Sequence, residues 1–244
     1  MTMKQYKKKR EYSYAIGVYT TLELLRLKPD SVNRVLLNTR GGTNEGVGKI
    51  VQLCNRHQIK REYADGVIGK IANREDCYAV GVFTKYQSPI QKANHLVLVN
   101  PRDAGNMGTI MRTMVAYELQ DLAIIRPAVD VFDPKVIRAS MGALFRINFS
   151  YFDLFEHYTR AFSHHLYPFM TDGRKLLSGV NLSEPYSLIF GNEGAGLGRE
   201  YAMVGTSVRI PQSSVVDSLN LSVAVGIALY EMSNKINLPG HPFT

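Results

Sequence analysis

From His95 onward the chain alternates short apolar runs with longer mixed ones, and this rhythm restricts the fold more than any other feature. HLVLVN (95–100), LAIIR (122–126), INFSYF (147–152), LYPFM (166–170), YSLIF (186–190) and SVRIP (207–211) read as strands. Helical patterns fall between them at 109–119, 133–144 and 154–165, and a last one runs from about 218 to 234. Strands that alternate with helices imply a mostly parallel sheet covered on both faces. The chain before Tyr86 reads as a smaller α/β unit. Thr20-Thr21-Leu22-Glu23 has the form of a capping box opening a short helix, which Pro29 and Asp30 end. VNRVLLN (32–38) and AVGVF (79–83) are strands. Thr43 is placed to cap a helix with Val47, Ile50, Val51 and Cys54 on one face, and 61–72 reads as a third helix. The expected domains are therefore 1–86 and 95–244, with a polar, proline-bearing linker at 87–94.

Composition narrows the partners. A formal net charge of +8 on 244 residues favours a polyanion, nucleic acid first. Lys7, Lys8, Lys9 and Arg10 read equally as phosphate contacts or as a solvated tail. No apolar run approaches the roughly 18 residues of a membrane span, and no apolar segment follows the basic start as in a secretory signal. Cys54 and Cys77 make neither a disulfide framework nor a metal spacing, which suits a reducing cytoplasm. His164 and His165, read as helical neighbours, point about 100° apart and do not converge on a metal.

Three loops carry the candidate chemistry. LIFGNEGAGLG (188–198) is a strand that breaks into four glycines. IPQSSVVDSLNLSVAVGIALYE (210–231) is a small-residue loop that opens into an apolar helix. NPRDAGNMGTIMRT (100–113) follows the strand HLVLVN, with Asn106 a good N-cap for the helix behind it. The nucleotide-binding fingerprints do not fit. In GAGLGR the last glycine falls one position early for GxGxxG, and Arg199-Glu200 stands where a P-loop needs Lys-Ser/Thr.

In order and spacing the three blocks resemble the signature motifs of the SpoU/TrmH RNA ribose 2′-O-methyltransferases, and a looser likeness extends over most of the chain from about Ile16. The resemblance implies a small amino-terminal substrate-binding domain followed by a SPOUT-type parallel-sheet domain with a carboxy-terminal trefoil knot, its cofactor-binding part at about 186–236. It implies S-adenosyl-L-methionine as methyl donor, a homodimer and an RNA substrate, with no metal. It also assigns residues. Arg112 matches the family's essential arginine, and Asn106, Glu193, Ser218 and Asn220 complete the catalytic set. Gly191, Asn192, Gly196, Ile210 and Leu219 match positions that wrap the cofactor. The ribose hydroxyl must lose a proton as the new bond forms. Arginine is a poor base, with a pKa above about 12, so Arg112 either takes the proton or holds a phosphate of the acceptor. The amino-terminal unit resembles that of the ribosomal-RNA members, which favours ribosomal over transfer RNA. A non-catalytic RNA-binding or ribosome-assembly protein is the competing reading.

Overall fold

The structure, a computed structural model, describes residues 5–73 and 76–236. In chain order the first elements are β1 (Tyr12–Ile16), α1 (Val18–Leu27), β2 (Val32–Leu37), α2 (Glu45–Arg56), β3 (Arg61–Tyr63), α3 (Asp65–Ala72) and β4 (Ala79–Thr84). There follow β5 (His95–Val99), α4 (Ala104–Ala116), β6 (Asp121–Ile125), α5 (Pro134–Ala139), β7 (Asn148–Phe152), α6 (Phe155–Ala161), β8 (His165–Pro168), β9 (Lys175–Leu176), β10 (Tyr186–Phe190), β11 (Val208–Arg209) and α7 (Leu221–Ile236). They form two compact units. One is the chain up to Gln87 together with Asp130–Arg146, and the other is Ser88–Val129 together with the chain from Ile147 on.

The first unit is a mixed sheet in the order β1-β4-β2-β3, with β4 antiparallel to β1 and β2, and β3 parallel to β2. Successive residues of β2 point to opposite faces. Val35 and Leu37 join Leu22, Leu25, Ile50 and Cys54 on one side, whereas Leu36 joins Tyr14, Ile68, Val80 and Val82 on the other. Several expectations shift here. No capping box forms at 20–23, since α1 starts after Gly17 with no side-chain cap. Thr20 instead donates back to the Ile16 carbonyl (2.8 Å) and Thr21 to that of Ala15 (3.0 Å). Asn44 rather than Thr43 caps α2, accepting from the Val47 amide at 3.2 Å. Residues 61–63 are a strand and not the start of a helix, because they pair with Val35–Leu37. β1, beside the basic run, was not foreseen.

The stretch 130–146 belongs by sequence order to the second domain, yet it packs with the first unit. α5 lies on β1, Lys85 pairs with Asp130 at 2.9 Å, and Arg146 pairs with the buried Glu23 at 2.6 Å. The single helix expected over 133–144 is split. Met141 and Gly142 take positive φ (51° and 82°), and a short 3-10 turn over Ala143–Arg146 follows.

The second unit is a parallel sheet in the order β7-β6-β5-β10-β8, with β9 and β11 as a separate parallel pair. β5, β6 and β10 are buried throughout, as a sheet covered on both faces requires. Val97, Val99, Ala123, Ile125 and Ile189 pack with Phe155 and Tyr158, and α4 packs on α7. The expected linker runs along this sheet: the Ile90 amide donates to Ser150 Oγ (3.2 Å) and the Gln91 amide to Asp121 Oδ1 (2.7 Å). α6 ends at Ala161, so the histidine pair is not helical and His165 opens β8.

Candidate active site

Asp103 caps α4, its Oδ1 accepting from the Asn106 amide at 2.7 Å. Asn106, expected as the cap, therefore lies inside the first turn, and its side chain is free to reach sideways. Its Nδ2 donates to Glu193 Oε1 (3.3 Å), and its Oδ1 accepts from Asn220 Nδ2 (3.1 Å). Glu193 also accepts from the amides of Arg102 and Asp103, each at 3.2 Å. Amides at a helix start have no partner within the helix, and the helix dipole favours a carboxylate there. Asn220 Oδ1 in turn accepts from the amide (2.9 Å) and the hydroxyl (2.7 Å) of Ser222 at the start of α7. One line of hydrogen bonds thus ties together the three blocks that sequence order keeps far apart.

The glycine loop is shaped by its own backbone. After β10, Asn192 Oδ1 accepts from the amides of Gly194 and Ala195, both at 2.8 Å, and the Gly196 amide donates to the Asn192 carbonyl at 3.1 Å. A Cβ on Gly191 would stand 2.0 Å from the Gly196 carbonyl carbon, so no larger residue fits there. Gly196 itself has φ +66°, a conformation glycine adopts without strain.

Below this loop lies a cavity of about 310 Å³. Gly191, Asn192, Gly196, Ile210 and Leu219 all line it, as do Glu193 and Ser218. Asn106 and Asn220 stand outside the lining, joined to it through Glu193. Arg112 does neither. It is exposed on α4, six residues beyond Asn106, which is about 9 Å of rise and roughly 120° around the helix. Its guanidinium has no ion-pair partner among the described residues.

Sequence reasoning missed part of the wall. Phe169 and Phe190 stack with ring centroids 4.4 Å apart and planes 14° from parallel, and both line the cavity. Thr171 and Asp172, just beyond β8, line it too. The available signal was their place after a strand, because open α/β sheets bind ligands at the carboxyl ends of their strands. The lining holds three carboxylates, Asp172, Glu193 and Asp217, and no lysine or arginine. In a chain of net charge +8 this pocket is poorly suited to a phosphate-bearing nucleotide. Its flat aromatic wall, backbone amides and carboxylates fit a ligand with an aromatic base and a cationic end, as S-adenosylmethionine has. Among the described residues no three His, Cys, Asp or Glu side chains cluster to hold a metal.

Known proteins share this arrangement. Residues 93–230 match the SpoU rRNA Methylase family. An uncharacterized tRNA/rRNA methyltransferase of Synechocystis is 35% identical over 147 residues, 56% of this chain and 51% of that one, so the chain spans about half the length of that relative. The AdoMet-bound rRNA methyltransferase of Sinorhizobium meliloti superimposes with a TM-score of 0.78 at 27% identity, covering 93% of this chain and 88% of that one. A structure bearing on the 2-OH methylation of C/U34 on tRNA gives a TM-score of 0.56 at 31% identity, over 60% of this chain and 97% of that one. The chain belongs to the SpoU rRNA Methylase family.

Proposed function

We propose that the protein methylates a ribose 2′-hydroxyl of ribosomal RNA. The observation that carries this reading is the acidic, aromatic-walled cavity whose Glu193 is tied to Asn106 and, through it, to Asn220. S-adenosylmethionine supplies an electrophilic methyl group; the ribose oxygen forms the new C–O bond as the S–C bond breaks, and the hydroxyl proton leaves to a base. Positioning should account for much of the rate. Glu193 is occupied by three donors, so it acts as a positioning residue that fixes the glycine loop against α4. Ser218 lines the cavity, and this reading gives it contact with the acceptor ribose. Arg112 is the catalytic residue, holding the acceptor or taking its proton.

In this reading Arg112, which does not line its own cavity, acts at the cavity of a second copy. A surface for that copy is present. Val223, Ile227 and Tyr230 form an exposed apolar stripe on α7, at 49%, 38% and 53% exposure. Leu221, Val225, Ala228, Leu229 and Met232 of the same helix are buried within the unit. A helix that is apolar on both sides packs between two partners. The knot belongs to the same reading, which the close approach of the Gly173 and Val208 backbones supports. The first unit is the RNA-binding domain of this reading, and the cytoplasm its place of action, consistent with two buried cysteines that are not joined in a disulfide.

Ribosomal RNA is preferred because the Sinorhizobium rRNA enzyme matches nearly the whole chain, amino-terminal unit included, whereas the tRNA structure matches 60% of it. The higher identity of that tRNA structure keeps transfer RNA as the second reading. The test is transfer of labelled methyl from S-adenosylmethionine to unmodified ribosomal RNA and to bulk transfer RNA, with Arg112→Ala in parallel. Label on ribosomal RNA that falls at least about 100-fold in the variant, the scale of one positioned acid–base group, is expected. Label on transfer RNA alone moves the substrate. Undiminished label in the variant removes Arg112 from the chemistry.

A further inference from the structure

The basic run before β1 is not a loose tail. The Arg10 amide donates to the Lys7 carbonyl at 3.0 Å and closes a turn. Arg10 also donates to the Gln5 carbonyl (2.7 Å) and to the Tyr12 hydroxyl (3.1 Å), and its guanidinium lies 5.6 Å from the Tyr12 ring centroid. The inner side of the turn is pinned by Lys85. Its Nζ donates to the Lys8 carbonyl (2.9 Å), to Tyr6 Oη (3.1 Å) and to Asp130 Oδ2 (2.9 Å), and Tyr6 donates to the same carboxylate oxygen. Lys85 and Asp130 are largely buried, their side chains 16% and 12% exposed. Lys7, Lys8 and Lys9 are exposed at the outer side.

This arrangement opposes what the turn would do by itself. Ordering a segment costs about 1–2 kcal/mol of backbone entropy per residue. Three adjacent lysines add mutual repulsion, which a disordered chain would relieve. Here a desolvated ion pair and two cation–π contacts, Lys85 on Tyr6 and on Phe132, hold the segment in place. A polyanion turns the repulsion into attraction and meets donors that are already placed.

We propose that the Lys7–Lys9 turn is a preorganised binding site for the phosphate backbone of RNA, held by the Tyr6–Asp130–Lys85 cluster. The proposal rests on RNA being the substrate and adds where the first unit grips it. It also separates two effects of charge. If general basicity attracts the RNA, removing the Asp130 carboxylate tightens binding. If the held turn does so, the same change loosens the turn and weakens binding.

The experiment measures affinity of the full-length protein for an unmodified large ribosomal RNA transcript, without S-adenosylmethionine, across a salt series. Lys7→Ala with Lys9→Ala should weaken binding about tenfold and flatten the salt slope by about one per lysine. Tyr6→Phe, which changes no charge, and Asp130→Asn should each weaken binding severalfold, with thermal unfolding showing that both remain folded. An unchanged slope in the double variant, or tighter binding by Asp130→Asn, overturns the proposal. If Asp130→Asn does not fold, Tyr6→Phe decides alone, and wild-type affinity in it overturns the proposal. Failure of the unsubstituted protein to bind either ribosomal or transfer RNA overturns the functional reading beneath it as well. Methyl transfer that proceeds with the lysines irrelevant overturns only the site.

Discussion

Asn106 shows how one position of displacement changes what a residue can do. As an N-cap its side chain would be consumed by the α4 backbone; with Asp103 capping, it bridges two loops. The glycine loop is as position-specific. Gly191→Ala drives a Cβ into the Gly196 backbone. It should destabilise the protein by more than about 2 kcal/mol, since neither side is a flexible side chain, and abolish S-adenosylmethionine binding in calorimetry. Gly194→Ala meets only Asn192 Oδ1 at 3.6 Å and should bind close to normally. Equal affinities in the two variants would show that the close crossing is not needed. Glu193→Gln keeps the shape but turns an amide nitrogen toward backbone N–H groups. The expected loss is about 1.5–3 kcal/mol of stability, the range for hydrogen bonds to a charged group, read by urea unfolding. A variant as stable as the parent would mean that the carboxylate does not hold α4 to the loop.

Among the elements, β5, β8 and β10 share a polar line at the end of the sheet away from the cavity. His95 Nε2 meets the Gln91 carbonyl at 2.7 Å, so that nitrogen donates. With the ring neutral its Nδ1 accepts from Tyr158 Oη (2.7 Å), Tyr158 accepts from Ser187 Oγ (2.6 Å), and Ser187 accepts from His164 Nδ1 (2.9 Å). This direction requires an uncharged His95, whose Nδ1 accepts, whereas His164 donates from Nδ1 in either state. Burial, with His95 close by, pushes the His164 pKa down to about 4, and burial lowers that of His95 too. In the unfolded chain His164 takes up a proton near pH 6.5, whereas in the folded chain it does so only near 4. Its contribution is therefore complete above about pH 6.5 and lost as pH falls toward 4. The size is on the order of 2 kcal/mol, because each pKa unit is worth about 1.4 kcal/mol and solvent screens part of it. Urea unfolding at pH 7 and at pH 4.5 should show this drop, and His164→Asn should reduce it. An identical pH dependence in that variant would exclude His164 as its source.

At the scale of the whole molecule, the proposed dimer uses the exposed stripe on α7 and brings Arg112, which does not line its own cavity, to that of a second copy. Ile227→Glu places a charge in the stripe and should convert a dimer to a monomer in sedimentation, with methyl transfer falling at least tenfold and cofactor binding retained. A parent protein that sediments as a monomer at the assay concentration rules this out. Mixing Arg112→Ala with Gly191→Ala copies should restore part of the activity, since one kind of site in the mixed dimer combines an intact cavity with an intact arginine. No recovery in dimers shown to be mixed would place the arginine's action within one chain.

The sequence by itself determined the class of fold and picked out part of the cavity lining, Gly191, Asn192, Gly196, Ile210 and Leu219. Strand periodicity and strand-to-loop breaks are local properties, and the close backbone approach at Gly191 demands a glycine wherever the chain runs. It also determined the basic balance that favours a polyanion as partner. Only the tertiary structure decided that residues 61–63 pair with β2 as a strand, that 130–146 leave the second unit for the first, and that Asp103 rather than Asn106 caps α4. Each depends on a partner distant in sequence: Val35–Leu37 for β3, Glu23 and Lys85 for the stray segment, Glu193 and Asn220 for Asn106. The wall formed by Phe169, Thr171 and Asp172 was hidden for the same reason. Their place after a strand is the one local mark, and it is the pairing of β8 with β10 which turns that strand end into one side of a binding site.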